Sequence, residues 1–476
     1  MLFNSIHFVF FFLIVTSLYF LLPQRFRWFL LLAASCYFYM AFIPVYILIL
    51  GFTIVIDYFA GIWLEKTIGK NRKYFLIASL IANIGVLAVF KYYNFLNDNL
   101  SALLNSLGYI NKIPHLSILL PIGLSFHTFQ AMSYTIEVYR GNQKAEHKFG
   151  IYALYVMFYP QLVAGPIERP QNLIHQFYEK HKFEYDRVVE GLKLMLWGFF
   201  MKLVIADRLA IYVNAVYNNF SRHSGITLLV ATVFFAFQIY CDFSGYSNIA
   251  IGIAQVMGFR LMTNFNRPYL SGSISEFWKR WHISLSSWFR DYFYISLGGN
   301  RVSIPRWYFN LLIVFIISGL WHGANWTFII WGGLNGLYLV FAIITNKLRN
   351  QINHHLLIDR LPRLQHFIQI FFTFILVCFA WVFFRADSLD DAISIFHKIF
   401  LMKGPLFIGS PAFAIYSLLG IMFLLIVEVK VEFFKGKFSF FHNPNAWVRK
   451  LSYTFILLLI LTFGVLDGGQ FIYFQF

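Results

Sequence analysis

Apolar runs long enough to cross a lipid bilayer recur along most of the chain, with short polar loops between them. Residues 74–92, 228–257 and 326–344 are three such runs, and residues 30–64 contain two more that divide near Pro44. The pattern predicts an all-α polytopic membrane protein with roughly 10–12 transmembrane helices, because each crossing needs about 20 apolar residues. The whole chain is expected to form a single transmembrane domain.

Lysine and arginine residues cluster in the short loops, a feature that sets the orientation of membrane proteins. Residues 66–73, 260–306 and 347–363 carry such clusters, and they are predicted to face the cytoplasm. Residues 1–22 lack the basic start and the small-residue cleavage site of a signal peptide. They are predicted to be the first span, with the N-terminus outside.

The composition agrees with a membrane protein and excludes a soluble one. Of 476 residues, 59% are hydrophobic and 12% are charged, and the mean hydropathy is +0.64. A soluble domain of this length could not bury so much apolar surface. The net charge of +17 comes from the loop clusters and gives no reason to expect nucleic acid as a partner. The 3 cysteines lie in apolar runs without disulfide or metal-ligand spacing, so reduced core residues are expected.

Two Trp-His pairs carry the candidate chemistry, and the first lies in a stretch with two distinct faces. Read as a helix at about 100° per residue, residues 276–292 place aromatic side chains on one face and charged ones on the other. Aromatic residues favour the membrane surface while charges stay in water, so an interfacial helix is predicted. His282 lies on the border between the two faces and is expected to point into the protein.

The second pair, Trp321-His322, falls near the break between the apolar runs 310–320 and 326–344. A polar group inside the hydrocarbon is costly unless it has a partner or faces a cavity, so an intramembrane histidine is a functional candidate. Imidazole is also the side chain best able to accept and return a proton near neutral pH. The alternative is that His322 and His282 only link helices through hydrogen bonds.

Other polar residues inside apolar runs admit two interpretations. Asp242 is either a clamp between helices or part of a site, and Lys202 is expected to pair with a nearby acid. Residues 164–170 combine Gly-Pro with an acid and a base, which predicts a bent, buried or re-entrant segment. The sequence has no Gly-rich phosphate loop, His-Glu-x-x-His or Gly-x-Ser-x-Gly motif. Neither a metal nor a bound cofactor is expected.

At these residues the chain resembles the membrane-bound O-acyltransferase family. The branch concerned contains alginate O-acetylation membrane proteins and the D-alanyl transfer protein of teichoic acid synthesis. The most specific block is 264–301, and one departure is His127, where the family pattern has tyrosine. The other matching blocks are 121–130 with 134–140, 159–167, 240–252, 320–325, 381–385 and 471–476.

The resemblance implies a helical fold in which transmembrane, re-entrant and interfacial helices surround a central funnel. It implies that His322 is the family's catalytic histidine and that His282 is its second signature histidine. Candidate substrate-binding residues in the same motifs are Trp281, Trp321, Asn325, Asp242 and Arg290.

The implied activity moves a short acyl group, expected to be acetyl, from a cytoplasmic thioester to a hydroxyl outside the bacterial cytoplasmic (inner) membrane. Acetyl-CoA or an acyl carrier would be the donor, attracted by the basic residues Lys279, Arg280, Arg290 and Arg301. The outcome would be O-acetylation of a cell-surface or exported polysaccharide. The expected partners are the lipid bilayer and an extracytoplasmic acetyltransferase or the polysaccharide itself.

Two alternative functions are kept beside this one. The first is D-alanyl-type transfer to a cell-wall polymer, which the same family branch includes. The second is a transporter or flippase that passes a solute without covalent change, for which Asp57, Lys202 and Asp242 would supply the binding groups.

Overall fold

A computed structural model describes residues 1–117, 121–434 and 441–466 of the chain, and these residues form helices without any β-strand. The terminal block 471–476 that contributed to the family resemblance lies outside the described residues. The helices are α1 Ile6–Leu21, α2 Gln24–Met40, α3 Ile47–Lys66, α4 Arg72–Leu87, α5 Tyr93–Ser106, α6 Leu124–Arg140, α7 Phe149–Met157, α8 Tyr159–Leu162, α9 Pro170–Leu173, α10 Tyr185–Phe199, α11 Asp207–Tyr217, α12 Gly225–Met257, α13 Ile274–Arg280, α14 Ile283–Trp288, α15 Ile304–His322, α16 Trp326–Ile344, α17 Asn346–His355, α18 Pro362–Arg385, α19 Leu389–Leu401, α20 Pro411–Phe433 and α21 Ala446–Phe463.

Within the described part of the chain, 8 helical segments are long and apolar enough to cross a membrane, which confirms the polytopic helical class. Helix α12 differs from the others because 78% of its most apolar stretch is buried in protein, against 17–39% for the other segments. The other segments therefore present most of their apolar surface to lipid, as a membrane span requires. Helix α1 is apolar but has only 16 residues, and the expected number of crossings stays a prediction.

Helices α4 and α5 form one continuous helix through the π-helical segment Ala88–Tyr92. The polar composition of residues 94–115 favours an outside loop, but the chain is helical as far as Ser106. Asparagines on α5 bind the chain that follows the helix: Asn94 Nδ2 donates to Leu116 O at 2.9 Å, and Asn97 Nδ2 donates to Ile113 O at 3.1 Å. The polar residues of α5 are thus satisfied without a loop.

The described residues group into two compact units, and the predicted single-domain organisation stays a prediction. The first unit comprises Met1–Met195 with Asn248–Met262, and the second comprises Leu196–Ser247 with Thr263–Phe476. In the first unit α3 packs against α4 and α6. The carboxylate of Asp57 on α3 accepts hydrogen bonds from Ser79 Oγ at 2.6 Å and from Asn83 Nδ2 at 2.8 Å. The predicted acid at span depth therefore has neutral partners inside the helix group.

The segment between α8 and α9 is bent and buried, as the Gly-Pro pattern predicted. Residues 161–168 leave the helical path after Leu162, and all of them are buried. A Cβ added at Gly165 would lie 2.3 Å from Gln161 Cα, so only glycine fits this close approach. Whether the segment is re-entrant with respect to the membrane stays a prediction.

In the second unit, α15 and α16 form a tight antiparallel hairpin. A Cβ added at Gly319 would lie 2.2 Å from Phe328 O, and one added at Gly332 would lie 2.2 Å from Phe315 O. Small residues at such contacts let membrane helices approach closely. Because His322 is the last residue of α15, the hairpin places it at its turn, at the opposite end from the basic residues that precede α15.

Candidate active site

His322 lies at the end of α15 in an aromatic environment. Its side chain is 3% exposed, and its ring centroid lies 5.0 Å from that of Trp331 on α16 and 5.4 Å from that of Phe384 on α18. Both rings meet the imidazole edge-on, a favourable geometry for aromatic pairs. Gly323, which follows, could not carry a side chain, because a Cβ there would lie 2.1 Å from the Phe328 ring.

His282 does not lie within a helix, so the predicted continuous helix over residues 276–292 is wrong. Helix α13 ends at Arg280, Trp281 is extended with φ −100° and ψ 127°, and His282 is left-handed with φ 41° and ψ 56° before α14 begins. The loop that follows α12 causes the break. Asn264 O accepts a hydrogen bond from Ile283 N at 2.8 Å, and Asn266 N donates to Arg280 O at 2.9 Å.

The left-handed conformation at His282 is uncommon for a residue other than glycine, although histidine adopts it more often than most residues do. A conformation of this kind costs on the order of 1–3 kcal/mol and is often found at functional sites. The predicted aromatic face of this stretch is nevertheless buried at Phe277, Trp281 and Trp288. His282 therefore points into the protein, as predicted. These aromatic side chains, however, pack inside the protein instead of facing the membrane surface, and the helix is not continuous.

Arg280 anchors the chain just before the break. Its Nη2 lies 2.6 Å from Glu276 Oε1 and 2.9 Å from Glu432 Oε1 on α20, and the same Glu432 carboxylate lies 2.7 Å from Arg267 Nε. Arg280 is thus engaged with carboxylates of the protein, and its predicted part in attracting the donor stays a prediction. Lys279 and Arg301 are exposed.

Neutral hydrogen-bonding groups and aromatic rings surround His282. Its Nδ1 lies 3.1 Å from Asn264 Oδ1, and its ring centroid lies 4.5 Å from that of Phe243 and 6.1 Å from that of Phe265. His282 lies outside the membrane-spanning helices, and burial lowers the pKa of its imidazole to about 3. The ring is therefore neutral at pH 7.

The ring of Trp321 lies near both histidines. Its centroid is 6.5 Å from that of His282 and 4.9 Å from that of His322. Trp281 packs on Trp381 at 5.1 Å, and Trp381 stacks on Trp331 at 5.8 Å. Both predicted catalytic histidines and both predicted tryptophans therefore belong to one cluster. The full cluster consists of Trp281, His282, Trp321, His322, Trp331, Trp381 and Phe384.

The other predicted substrate-binding residues lie in different surroundings. Asp242 Oδ1 lies 2.6 Å from Lys202 Nζ, which also lies 2.8 Å from Asp207 Oδ1. Asn325 is the N-cap of α16, since its side chain accepts a hydrogen bond from the backbone N–H of residue 327 at 3.0 Å. Arg290 is exposed and lies 2.7 Å from the carboxylate of its neighbour in sequence. Their predicted role in substrate binding stays a prediction.

Several residues of the site were not predicted from the sequence, among them Trp331 and Asn264. Trp331 lies inside the apolar run 326–344, where one more aromatic residue carries no signal of its own. Asn264 starts the most specific family block, but nothing in its sequence position shows that it faces His282.

The cluster offers two buried imidazoles in a largely apolar enclosure. Such groups can accept a proton, and their surroundings exclude the water that would compete with another acceptor or donor. Among residues 1–117, 121–434 and 441–466, no three His, Cys, Asp or Glu side chains are arranged to hold a metal ion. The arrangement is suited to proton transfer between substrates brought to the histidines.

Comparison with known proteins gives this site a family context. A family model described as MBOAT, membrane-bound O-acyltransferase family, matches residues 146–386, a range that contains every member of the histidine cluster. The chain is 40% identical over 403 residues to the probable alginate O-acetylase AlgI of Pseudomonas aeruginosa, covering 84% of this chain and 75% of the relative.

Two further relatives extend the match. The chain is 36% identical over 505 residues to the probable alginate O-acetylase AlgI of Pseudomonas putida, and the match covers 100% of both chains. It is 34% identical over 443 residues to the peptidoglycan O-acetyltransferase of Helicobacter pylori, covering 85% of this chain and 80% of that protein. The similarity therefore extends well beyond the matched family region.

Proposed function

This chain belongs to the membrane-bound O-acyltransferase family and is a multi-pass membrane enzyme, an O-acyltransferase, and on this premise we propose that it O-acetylates a polysaccharide. The acetyl group would come from a cytoplasmic thioester and reach a hydroxyl on the outer side of a bacterial inner membrane. The relatives' names support acetyl as the group and a polysaccharide as the acceptor. The observation that carries the proposal is that the rings of His282 and His322 both lie beside the ring of Trp321 in one buried aromatic cluster.

The reaction needs one base and one leaving group. Nε2 or Nδ1 of His322 takes the proton of the attacking hydroxyl. At the same time the hydroxyl oxygen forms a bond to the thioester carbonyl carbon. The C–S bond then breaks, and the leaving thiolate receives the proton that His322 took from the hydroxyl, which returns the imidazole to its neutral form. A positioned general base typically contributes about 10²–10⁴-fold to the rate. His282 assists by positioning the acyl group or by sharing the proton.

The aromatic enclosure protects the acyl group from hydrolysis. Trp331 and Trp381 are each 2% exposed, and they pack beside His322 and Trp281 respectively. Rings of this size exclude water from the histidines, and a site without bulk water favours the hydroxyl over water as the nucleophile. The same apolar lining suits the methyl end of an acetyl group.

The donor is proposed to approach from the cytoplasmic side as acetyl-CoA or an acyl carrier, with no cofactor held permanently by the enzyme. Both donors are anionic, and the exposed residues Lys279, Arg290 and Arg301 would raise their local concentration. An extracytoplasmic acetyltransferase or the polysaccharide itself would receive the acyl group on the other side.

The two-sided arrangement depends on the proposed orientation, with the N-terminus outside. Single cysteines would be placed at Arg301 and Lys347, or at Asn105 and Ser388, in a variant lacking the native cysteines. The first pair should resist a membrane-impermeant thiol reagent in intact cells, and the second pair should react. Labelling of the first pair from outside would invert the orientation and remove the basis of the two-sided mechanism.

The catalytic part of the proposal is tested with His322→Ala. This variant should insert normally and accumulate, while mass analysis of surface polysaccharides shows loss of O-acetyl groups. His354→Ala is the matched control, because His354 is an exposed histidine beside Asp359 and its loss should leave acetylation unchanged. Wild-type acetylation in the His322→Ala variant would refute the proposal.

A further inference from the structure

The side chain of Asn264 contacts both His282 and the first turn that follows it. Asn264 Oδ1 lies 3.1 Å from His282 Nδ1, 3.2 Å from Ser284 N and 2.9 Å from Ser284 Oγ. Asn264 and Ser284 are completely buried, and His282 is nearly so. In such a place hydrogen bonds are strong and a mismatched donor or acceptor is costly.

The backbone N–H of Ser284 decides which way the Asn264 amide points. A backbone N–H can only donate, so the amide atom that faces it must be the oxygen. The reversed amide would set its NH₂ group against this N–H, donor against donor. In the observed orientation Asn264 Nδ2 donates to Ser247 Oγ at 3.1 Å, so both ends of the amide are satisfied.

The orientation of the amide in turn fixes the position of the proton on His282. Nδ1 faces a carbonyl oxygen at 3.1 Å, and this contact is attractive only if Nδ1 carries the hydrogen. The Ser284 hydroxyl does not compete, because its Oγ lies 3.5 Å from Nδ1 and is better placed on the Asn264 oxygen. A neutral imidazole has one N–H, so Nε2 keeps its lone pair.

The backbone of Asn264 reinforces this arrangement. Its carbonyl oxygen accepts the Ile283 N–H at 2.8 Å, immediately after the left-handed His282. One residue therefore holds both the unusual backbone conformation and the ring of the histidine. This is the pattern of a residue that orients a catalytic group without contacting the substrate itself.

We propose that Asn264 is a positioning residue that holds His282 as the Nδ1–H tautomer, so that His282 meets the substrates as a hydrogen-bond acceptor through Nε2. The proposal rests on the acyl transfer proposed above and makes one part of it specific. A nitrogen without hydrogen cannot donate to the thioester carbonyl oxygen. It can accept a hydrogen bond from the attacking hydroxyl, so His282 shares the hydroxyl proton with His322 instead of holding the acyl carbonyl.

The tautomer can be read directly by nitrogen-15 NMR. The full-length protein, labelled at its histidines and reconstituted in lipid at pH 7, would be compared with His282→Gln, and the difference spectrum would isolate the His282 ring. The expected signals are a protonated Nδ1 and an unprotonated Nε2. A protonated Nε2, in a neutral or a charged ring, would overturn the proposal. The NMR measurement of the His282 tautomer does not require catalysis, so its result is independent of the proposed acyl transfer.

A second experiment tests the influence of Asn264 on the reaction. Asn264→Asp keeps an oxygen acceptor facing His282 and Ser284 but adds a negative charge, which favours the protonated imidazole. Protonation removes the Nε2 lone pair. The acid limb of the plot of acyl-transfer rate against pH should therefore shift to higher pH by roughly 1–3 pH units. A residue with only a structural role would lower the amount of folded enzyme without moving this limb.

The matched control is Asn310→Asp. Asn310 is also fully buried, and its Nδ2 donates to Leu297 O at 3.1 Å and to Gly299 O at 3.0 Å, near the start of α15. This variant introduces a buried acid at the far end of the helix from His322, and it should leave the pH profile of the remaining activity in place. An Asn264→Asp profile that coincides with that of Asn310→Asp would overturn the positioning role.

Discussion

Two clusters of buried polar groups in the second compact unit are stabilised in opposite ways. At Lys202 the groups are charged: the ammonium lies 2.6 Å from Asp242 and 2.8 Å from Asp207. At His282 the groups are neutral: Nδ1 lies 3.1 Å from the amide oxygen of Asn264, and the rings of Phe243 and Trp321 pack beside the imidazole. Both places lie in an apolar protein where an unpaired polar group would be costly.

The difference shows why a buried charge is a weaker sign of chemistry than a buried histidine. In the Lys202 cluster each charge has a counter-charge within the protein, so its bonding requires no substrate. The two histidines pack among aromatic rings, His282 also contacts a neutral amide, and imidazole is a side chain that can take up and return a proton. Helix α12 contributes to both places, because Asp242 pairs with Lys202 while its neighbour Phe243 packs 4.5 Å from His282.

The largest effect is expected where the charged cluster is broken. Lys202→Met removes the ammonium that Asp207 and Asp242 share, and loss of one partner from a buried ion pair typically costs about 3–5 kcal/mol. Thermal unfolding in detergent should show a strongly lowered Tm and little folded protein. Asp242→Asn leaves one carboxylate with one ammonium, so this variant should lose less stability than Lys202→Met. If Lys202→Met were as stable as wild type but inactive, the cluster would belong to the active site and the comparison would fail.

An intermediate effect is expected in the hairpin that carries His322. Gly332→Val would place a Cβ 2.2 Å from Phe315 O and push α15 and α16 apart, and overpacking of this kind typically costs about 1–3 kcal/mol. Stability and acyl transfer should fall together, because the histidine moves with its helix. The neighbouring Gly333→Ala is the control, since a Cβ there meets only Ile316 Cγ1 at 3.7 Å. Equal losses in the two variants would contradict the close-approach explanation.

The smallest effect concerns Asn325, which is both a predicted substrate-binding residue and the N-cap of α16. Asn325→Ala removes the cap and should cost about 1 kcal/mol, seen as a modest fall in Tm. Asn325→Ser supplies another capping oxygen and should restore most of the stability. If Asn325→Ser is stable but has lost acyl transfer, the side chain serves the substrate as well as the helix.

The fold class and the two histidines could be predicted from the sequence because their signals are local. Apolar runs of about 20 residues define membrane helices regardless of how they pack, and Trp281-His282 and Trp321-His322 stand out within them. The helix break at His282 could not be predicted, because it depends on hydrogen bonds from residues 264–266, which are distant in sequence.

The pairing of Asp242 could not be predicted for a similar reason. Its sequence position allowed either a clamp or a site, and only the packing of α12 beside the π-helical segment Phe200–Ala206 brings Lys202 to it. Asn264 is a third case, since its role depends on three contacts made across 18–20 residues of chain. Long-range hydrogen bonds decided each of these outcomes, and the apolar pattern carries no information about them.

The central claim, that the histidine cluster transfers an acyl group across the membrane, is tested most directly by following the group itself. Cells producing wild-type protein or His322→Ala would be given a cytoplasmic thioester labelled in its acyl group, and alkali-labile label on the outside acceptor would be measured. Labelled ester is expected with the wild type and none with His322→Ala at equal protein levels. Labelled ester at the wild-type level in His322→Ala would contradict it, as would passage of an intact solute with no ester formed.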